Sequence, residues 1–219
     1  MEIFDNTVFK LNPNIAWELI ETPIAKMAII DSFYEDVDSV VRELDKLPAA
    51  KTEYHCDDVV DLRRSYKTSI CGTEFPFTSV YGEVVRNIIS YGGKLKNSDE
   101  VIVNCNKIQS DKVLTNYYNI HKDRSPLEDA KGGVSDVIST VVMLNDHYNE
   151  GEGTSFFYNQ EAVPPWVSKD EMELLYFMQG KKNRAIVFSA NINHGATYST
   201  DQFKHEYRYS QAIFTELKV

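Results

Sequence analysis

The C-terminal half of the chain carries an ordered set of reactive side chains. His121 and Asp123 flank Lys122, His194 follows, and then come Arg208 and Ser210. Two imidazoles and one carboxylate are the donors of a facial triad, which holds Fe(II) on one side and leaves the opposite coordination positions open. A guanidinium beside such a site can grip the carboxylate of an organic acid docked on the open side, through paired charge-assisted hydrogen bonds. Side chains two apart on a strand point to the same face, about 7 Å apart along the chain. His121 and Asp123 can therefore reach one ion from the end of one extended segment, and Arg208 and Ser210 share a face for the same reason.

Three strands are needed to bring these groups together. Val113 to Ile120, rich in β-branched and aromatic residues, reads as the strand that delivers His121 and Asp123. Ala185 to Asn193 reads as the strand that His194 closes, with Gly195 as the place where the chain turns. Tyr207 to Leu217 reads as the strand carrying Arg208 and Ser210. The His-x-Asp pair is weak on its own, because the chain has a second one, His55-Cys56-Asp57. That second pair lies in a polar stretch and reads as a solvated loop or a helix start, with Asp57 or Asp58 as N-cap. His205 stands too close to Arg208 on one strand for both to face the ion, and His147 falls in a polar turn.

The remaining elements form a backing for these strands. Ala25 to Ile30 reads as a strand. Asp36 to Leu47 reads as an amphipathic helix with Val37, Val40, Val41 and Leu44 on one face, ended by Pro48. Ser79 to Tyr91 reads as a second helix, stopped by Gly92-Gly93, with Val80, Val84 and Ile88 inward. Further strands fall at Val101 to Gln109, Val137 to Leu144 and Thr154 to Tyr158. After the last of these, Glu161 to Gly180 reads as an insertion: Trp166, then a helix from Ser168 to Met178 opened by a Ser168–Glu171 capping box, either packed on the surface or closing over the site. The loop from Asp123 to Val134 is the other lid candidate. Helices followed by strands and turn clusters fit a mainly β (α+β) fold, a double-stranded β-helix or jelly roll backed by N-terminal helices. The 219 residues suit a single domain, with residues 1–100 as support and 101–219 as the jelly-roll core.

Composition narrows the function classes. The net charge of −10 argues against a nucleic-acid backbone as partner, since that binding relies on Lys and Arg. No run approaches 18 apolar residues, which argues against a membrane span. Three cysteines without metal-ligand spacing and an N-terminus without a secretory pattern point to reduced thiols and a cytoplasmic chain.

The stretch from Tyr117 to Phe214 resembles the prolyl 4-hydroxylase-like branch of the iron(II)/2-oxoglutarate-dependent oxygenases. Met143-Leu144-Asn145 followed by Gly151-Glu152-Gly153-Thr154-Ser155-Phe156 is similar to that branch's L-N and G-G-E-T-x-F segments. Lys181 to Phe188 is similar to its approach to the distal histidine, with Asn183 where Gly is usual before Arg184. Gly-Glu-Gly-Thr in place of Gly-Gly-Glu-Thr, and Arg208 where many prolyl hydroxylases have Lys, are further departures. The resemblance implies His121, Asp123 and His194 as Fe(II) ligands, and Arg208, Ser210 and Tyr118 as contacts of 2-oxoglutarate. It further implies O2 as oxidant, ascorbate as a candidate reductant, and hydroxylation of a C–H bond in a peptidyl or free amino-acid side chain, proline first. A non-catalytic jelly-roll binding or structural protein, and a cupin-type metalloenzyme that does without 2-oxoglutarate, stand as the alternatives.

Overall fold

The computed structural model describes residues 6–46, 50–56, 59–71, 79–88, 94–95, 101–110, 117–118, 120–123, 137–158, 167–168, 172–197 and 206–218. In chain order, β1 (Ala16–Glu21) and β2 (Lys26–Asp31) form a hairpin that precedes helix α1 (Val37–Asp45). β3 (Ala50–Cys56) and β4 (Val59–Cys71) form another, followed by helix α2 (Ser79–Ile88) and β5 (Lys94–Leu95). The C-terminal part adds β6 (Val101–Ser110), β7 (Tyr117–Tyr118), β8 (Val137–Met143), β9 (Gly153–Phe157) and β10 (Val167–Ser168). It ends with β11 (Leu174–Gln179), β12 (Arg184–Ser189), β13 (Asn193–Thr197) and β14 (Arg208–Lys218).

The strands make a jelly roll. A large antiparallel sheet runs β1-β2-β12-β8-β14-β6-β4-β3, with β5 also paired to β14. A second sheet, β11-β9-β13, carries the other wall, and β7 pairs with β10. The hairpins thus lengthen both edges of the large sheet, and its middle strands β12, β8 and β14 are buried on both faces. One face looks into the barrel, where Met143, Ile186 and Phe188 meet Phe156 and Met178 of the second sheet. The other carries Val142, Val187 and Ile213 against Val40, Leu44, Tyr81 and Val84 of the helices.

Local chemistry explains the supports. Asp36 caps α1 by accepting from the Ser39 backbone N–H at 3.0 Å, and Val40 and Leu44 fall on the buried face while Val37 and Val41 are half-buried beside them. On α2 the buried residues are Tyr81, Val84 and Val85; the side chains of Val80 and Ile88, the helix ends after 46 and 88, and residues 113–116 lie outside the described residues. Asn183 has φ 62°, a left-handed conformation that Gly and Asn tolerate best. Here Asn also supplies what Gly cannot. Its side chain accepts from Tyr34 N–H at 2.8 Å and donates to Tyr34 C=O at 2.9 Å, tying the turn before β12 to the N-terminal layer.

Three sequence expectations change. Ser168 to Met178 is not a helix. Val167–Ser168 pairs with Tyr118 and Tyr117, and Leu174–Gln179 pairs with Phe157 to Gly153. His55 is not in a loop and Val59 does not open a helix: His55 lies on β3, opposite Val60 on β4, while Asp57 and Asp58 lie outside the described residues. The chain does not turn at Gly195 after His194: the turn falls at Ala190–Ile192, and His194 and Gly195 both lie within β13.

The cations just before and at the start of β12 are paired with acids. Lys181 and Arg184 hold Asp31, and Lys182 holds Asp38 and Asp146. The Arg184 hydrogen bonds, against some burial and with help from Lys181, lower the Asp31 carboxyl from 3.8 to about 2. A depressed carboxyl stabilises the fold fully above its unfolded value and loses that contribution as pH falls through the folded one. Asp31→Asn should therefore remove part of the loss of stability seen in acid unfolding between about pH 4 and pH 2, a modest part because the pair is partly exposed. An unaltered acid limb would show that the ion pair does not form. A second expectation concerns close approach: a Cβ on Gly153 would stand 1.9 Å from the Met178 carbonyl oxygen. Gly153→Ala should cost on the order of 1–3 kcal/mol in urea unfolding, the usual range for overpacking, and a wild-type midpoint would contradict that contact.

Candidate metal centre

The two strand ends that carry the imidazoles are joined by the backbone. His121 N–H donates to His194 C=O at 2.9 Å and His194 N–H to His121 C=O at 3.0 Å, an isolated antiparallel bridge. Directly opposed residues of an antiparallel pair present their side chains on the same face. The rings accordingly lie side by side, centroids 4.6 Å apart. Asp123, two residues on from His121, returns to that face. Its Oδ1 is 3.3 Å from His121 Nε2 and its Oδ2 is 3.3 Å from His194 Nε2.

All three donor atoms lie within 4.8 Å of one another, and no other such group occurs among the described residues. Donors bound at right angles to one ion with bonds of about 2.1 Å would stand roughly 3 Å apart, close to the spacing seen. Asp123 Oδ2 is buried and has no hydrogen-bond partner, an arrangement that is costly unless a cation completes it. Burial by itself would push the Asp123 carboxyl up. His194 and His121 in their protonated forms would more than offset this and hold it well below the usual carboxylate range. His194 Nδ1 lies 3.0 Å from Ile192 C=O, which can only accept, so Nδ1 is the donor; in the neutral ring that metal binding requires, the Nε2 lone pair then faces Asp123. These residues fit a divalent ion.

The three sites differ in exposure. His194 is 5% exposed and Asp123 10%, whereas His121 is 46% exposed and marks the solvent side. Phe188 packs edge-on against the His194 ring at 4.6 Å, and Phe156 stacks at 6.0 Å and meets Phe188 at 4.9 Å. These aromatic walls escaped the sequence reading, although period-two alternation on β9 and β12 with His194 as the reference residue would have placed them. Tyr148, half-buried in the loop after β8, escaped it as well.

The remaining candidates are placed by register. Ser210 is opposite Met143, an interior residue, so Ser210 faces the barrel and is buried; Arg208, two before it, faces the same way and is half-buried. Burial raises the pKa of the Tyr148 hydroxyl, and the Arg208 charge lowers it by less. Tyr118 is placed by its backbone, opposite Val167; its side chain lies outside the described residues. His147 is exposed, as expected for a polar turn. His205, Trp166 and the segment from 124 to 134 lie outside the described residues.

No family model and no curated protein matches the chain. Solved structures do. An oxidoreductase of the 2OG-Fe(II) oxygenase family from Burkholderia pseudomallei is similar over 89% of this chain and 86% of its own, with a TM-score of 0.51 and 10% identity. A Pseudomonas putida prolyl-4-hydroxylase is similar over 93% of this chain and 94% of its own, with a TM-score of 0.44 and 12% identity. At 10% identity the first likeness shows a shared fold, the jelly roll already described.

Cobalt(II), an optical stand-in for iron, should bind the full chain with one-to-one stoichiometry. Alanine at His121, Asp123 or His194 should weaken that binding by more than the roughly 10–100-fold that loss of an outer-shell partner costs. His55→Ala should leave it alone. Affinity should fall in acid, where protons compete with the ion for its donors. Unchanged affinity in Asp123→Ala would remove the three residues from consideration as one site.

Proposed function

We propose that the chain is an Fe(II)- and 2-oxoglutarate-dependent dioxygenase that hydroxylates a C–H bond in a peptidyl or free amino-acid side chain, with proline as the first candidate. The observation that carries this reading is the buried, unpartnered oxygen of Asp123 between two imidazoles, at a barrel whose inner face also bears Arg208 and Ser210. When bound, iron with 2-oxoglutarate and O2 supplies the oxidation, coupling decarboxylation of the acid to succinate and CO2 with insertion of one oxygen atom into the substrate.

The chain's own residues do the holding and orienting. His121, Asp123 and His194 are the ligands in this reading, and Ile192 C=O fixes the tautomer of His194. Arg208 pairs with the far carboxylate of 2-oxoglutarate through charge-assisted hydrogen bonds, with Ser210 and Tyr118 as hydroxyl contacts. Phe156 and Phe188 keep water from the rear of His194. Two further buried groups support a polar guest. Ser139 Oγ and Thr154 Oγ1 have no hydrogen-bond partner, and both face the interior, Ser139 opposite Phe188 and Thr154 opposite Met178. Such hydroxyls each cost about 1–3 kcal/mol when left unpaired, which a bound acid or ordered water would relieve. The choice of a proline-like substrate rests on the motif resemblance alone.

The test is succinate formation from 2-oxoglutarate by the iron-loaded chain under O2, measured with and without candidate peptides. Arg208→Ala should raise the 2-oxoglutarate KM by about 10–100-fold, the worth of a charge-assisted pair, with a smaller effect on kcat. A wild-type chain that binds iron yet neither binds nor consumes 2-oxoglutarate would overturn the proposal and favour a binding protein or a metalloenzyme of another kind.

A further inference from the structure

The register of β14 leaves Arg208 in an unusual place. The last β8 residue in the ladder, Met143, lies opposite Ser210, so Arg208 extends past the end of β8 and keeps a strand neighbour on one side only, opposite Ile108 of β6. On the open side the chain has already begun its turn, and the next backbone bond, Leu144 N–H to Tyr209 C=O, is a long 3.3 Å. Asn145 fills the gap. Its side-chain N–H donates to Tyr207 C=O at 2.8 Å, and its side-chain oxygen accepts from Tyr209 N–H at 2.8 Å.

A primary amide carries the same donor and acceptor as a peptide unit. Asn145 therefore continues the ladder for one more pair after β8 has departed, and its two bonds bracket Arg208 on both sides. The same residue's backbone N–H donates to the Tyr148 hydroxyl at 3.4 Å, which ties down the loop that follows β8. We infer that Asn145 is a positioning residue for Arg208: by holding Tyr207 and Tyr209 it fixes the strand twist at residue 208 and so the direction in which the guanidinium enters the barrel. The inference rests on the functional reading above, in which Arg208 receives the far carboxylate of 2-oxoglutarate.

The experiment compares two acids on the cobalt-loaded full chain under anaerobic conditions. 2-Oxoglutarate has a far carboxylate; 2-oxobutyrate has the same 2-oxo acid end and lacks it. Asn145→Ala, which loses both bonds, should weaken 2-oxoglutarate binding roughly tenfold, the worth of two neutral hydrogen bonds. Its affinities for 2-oxobutyrate and for cobalt should stay at wild-type values. Asn145→Asp keeps the acceptor for Tyr209 N–H and loses the donor to Tyr207 C=O, so it should show a smaller loss with the same selectivity, and it serves as the test if the alanine variant does not fold. Equal weakening of both acids, or of neither, with wild-type 2-oxoglutarate binding intact would overturn the role assigned to Asn145 and leave the functional reading standing. If the wild-type chain itself does not prefer 2-oxoglutarate to 2-oxobutyrate, the functional reading fails, and this inference with it.

Discussion

One pair of backbone hydrogen bonds governs the site. His121 and His194 are far apart in sequence and belong to different strand ends, and each donates its N–H to the other's carbonyl. That reciprocal pair fixes which residue faces which, and antiparallel geometry does the rest: directly opposed side chains emerge on one face within a few ångströms. A shift of either strand by one residue would send one imidazole to the opposite face. Asp123 needs no separate device, because it follows His121 by one strand repeat. The convergence of three donors is thus a consequence of register and costs no special loop.

The large sheet turns that register into a two-sided scaffold. Alternate residues of β12 and β8 serve different layers: Ile186, Phe188 and Met143 face the barrel and its imidazoles, while Ala185, Val187 and Val142 face the helices. Strands buried on both faces read as continuous apolar runs, and Val137–Met143 and Arg184–Ser189 have that character. Aromatic contacts then make His194 part of the core. Its ring is held by Phe156, Phe188 and the Ile192 carbonyl, which fix its orientation in the fold itself.

What was legible in the sequence follows from the same physics. Arg208 and Ser210 lie on β14, a long apolar strand that declares itself locally, whereas His194 lies on the short β13, which carries no such pattern, and His121 meets it only through an isolated bridge. The failures have local causes too. In β11 the pairing slips between Leu174 and Tyr176, a bulge that breaks the alternation and leaves Leu174, Leu175 and Met178 at spacings that imitate a helix. The His55 region is a hairpin at a sheet edge, where polar residues are the rule and propensity says little. Gly195 invited a turn, but in β13 it simply lies opposite Ser155, and the real turn needed no glycine. For β11 and β13 the deciding partner is β9, which no window of neighbouring residues contains; for His55 the partner is the nearby Val60, and the polar run hides the pairing.

β14 shows how the N-terminal layer bears on the candidate site. Its residues alternate between layers: Tyr209, Gln211 and Ile213 point away from the barrel, Arg208 and Ser210 into it. On the outer side the Tyr209 hydroxyl donates to Asp45 of α1 at 2.6 Å, the Tyr34 hydroxyl donates to Gln211 at 2.7 Å in a fully buried pair, and Ile213 sits in the apolar core. Each contact is specific to one residue of the strand. Sliding β14 by one position would bury Arg208 against the helices and leave Tyr34 without its acceptor, a penalty of the kind that a buried unsatisfied group and a buried charge impose together. The helices and N-terminal strand thereby select the register in which the guanidinium faces inward. Through β14 the packing energy of the N-terminal layer is spent on the direction of a single charged side chain.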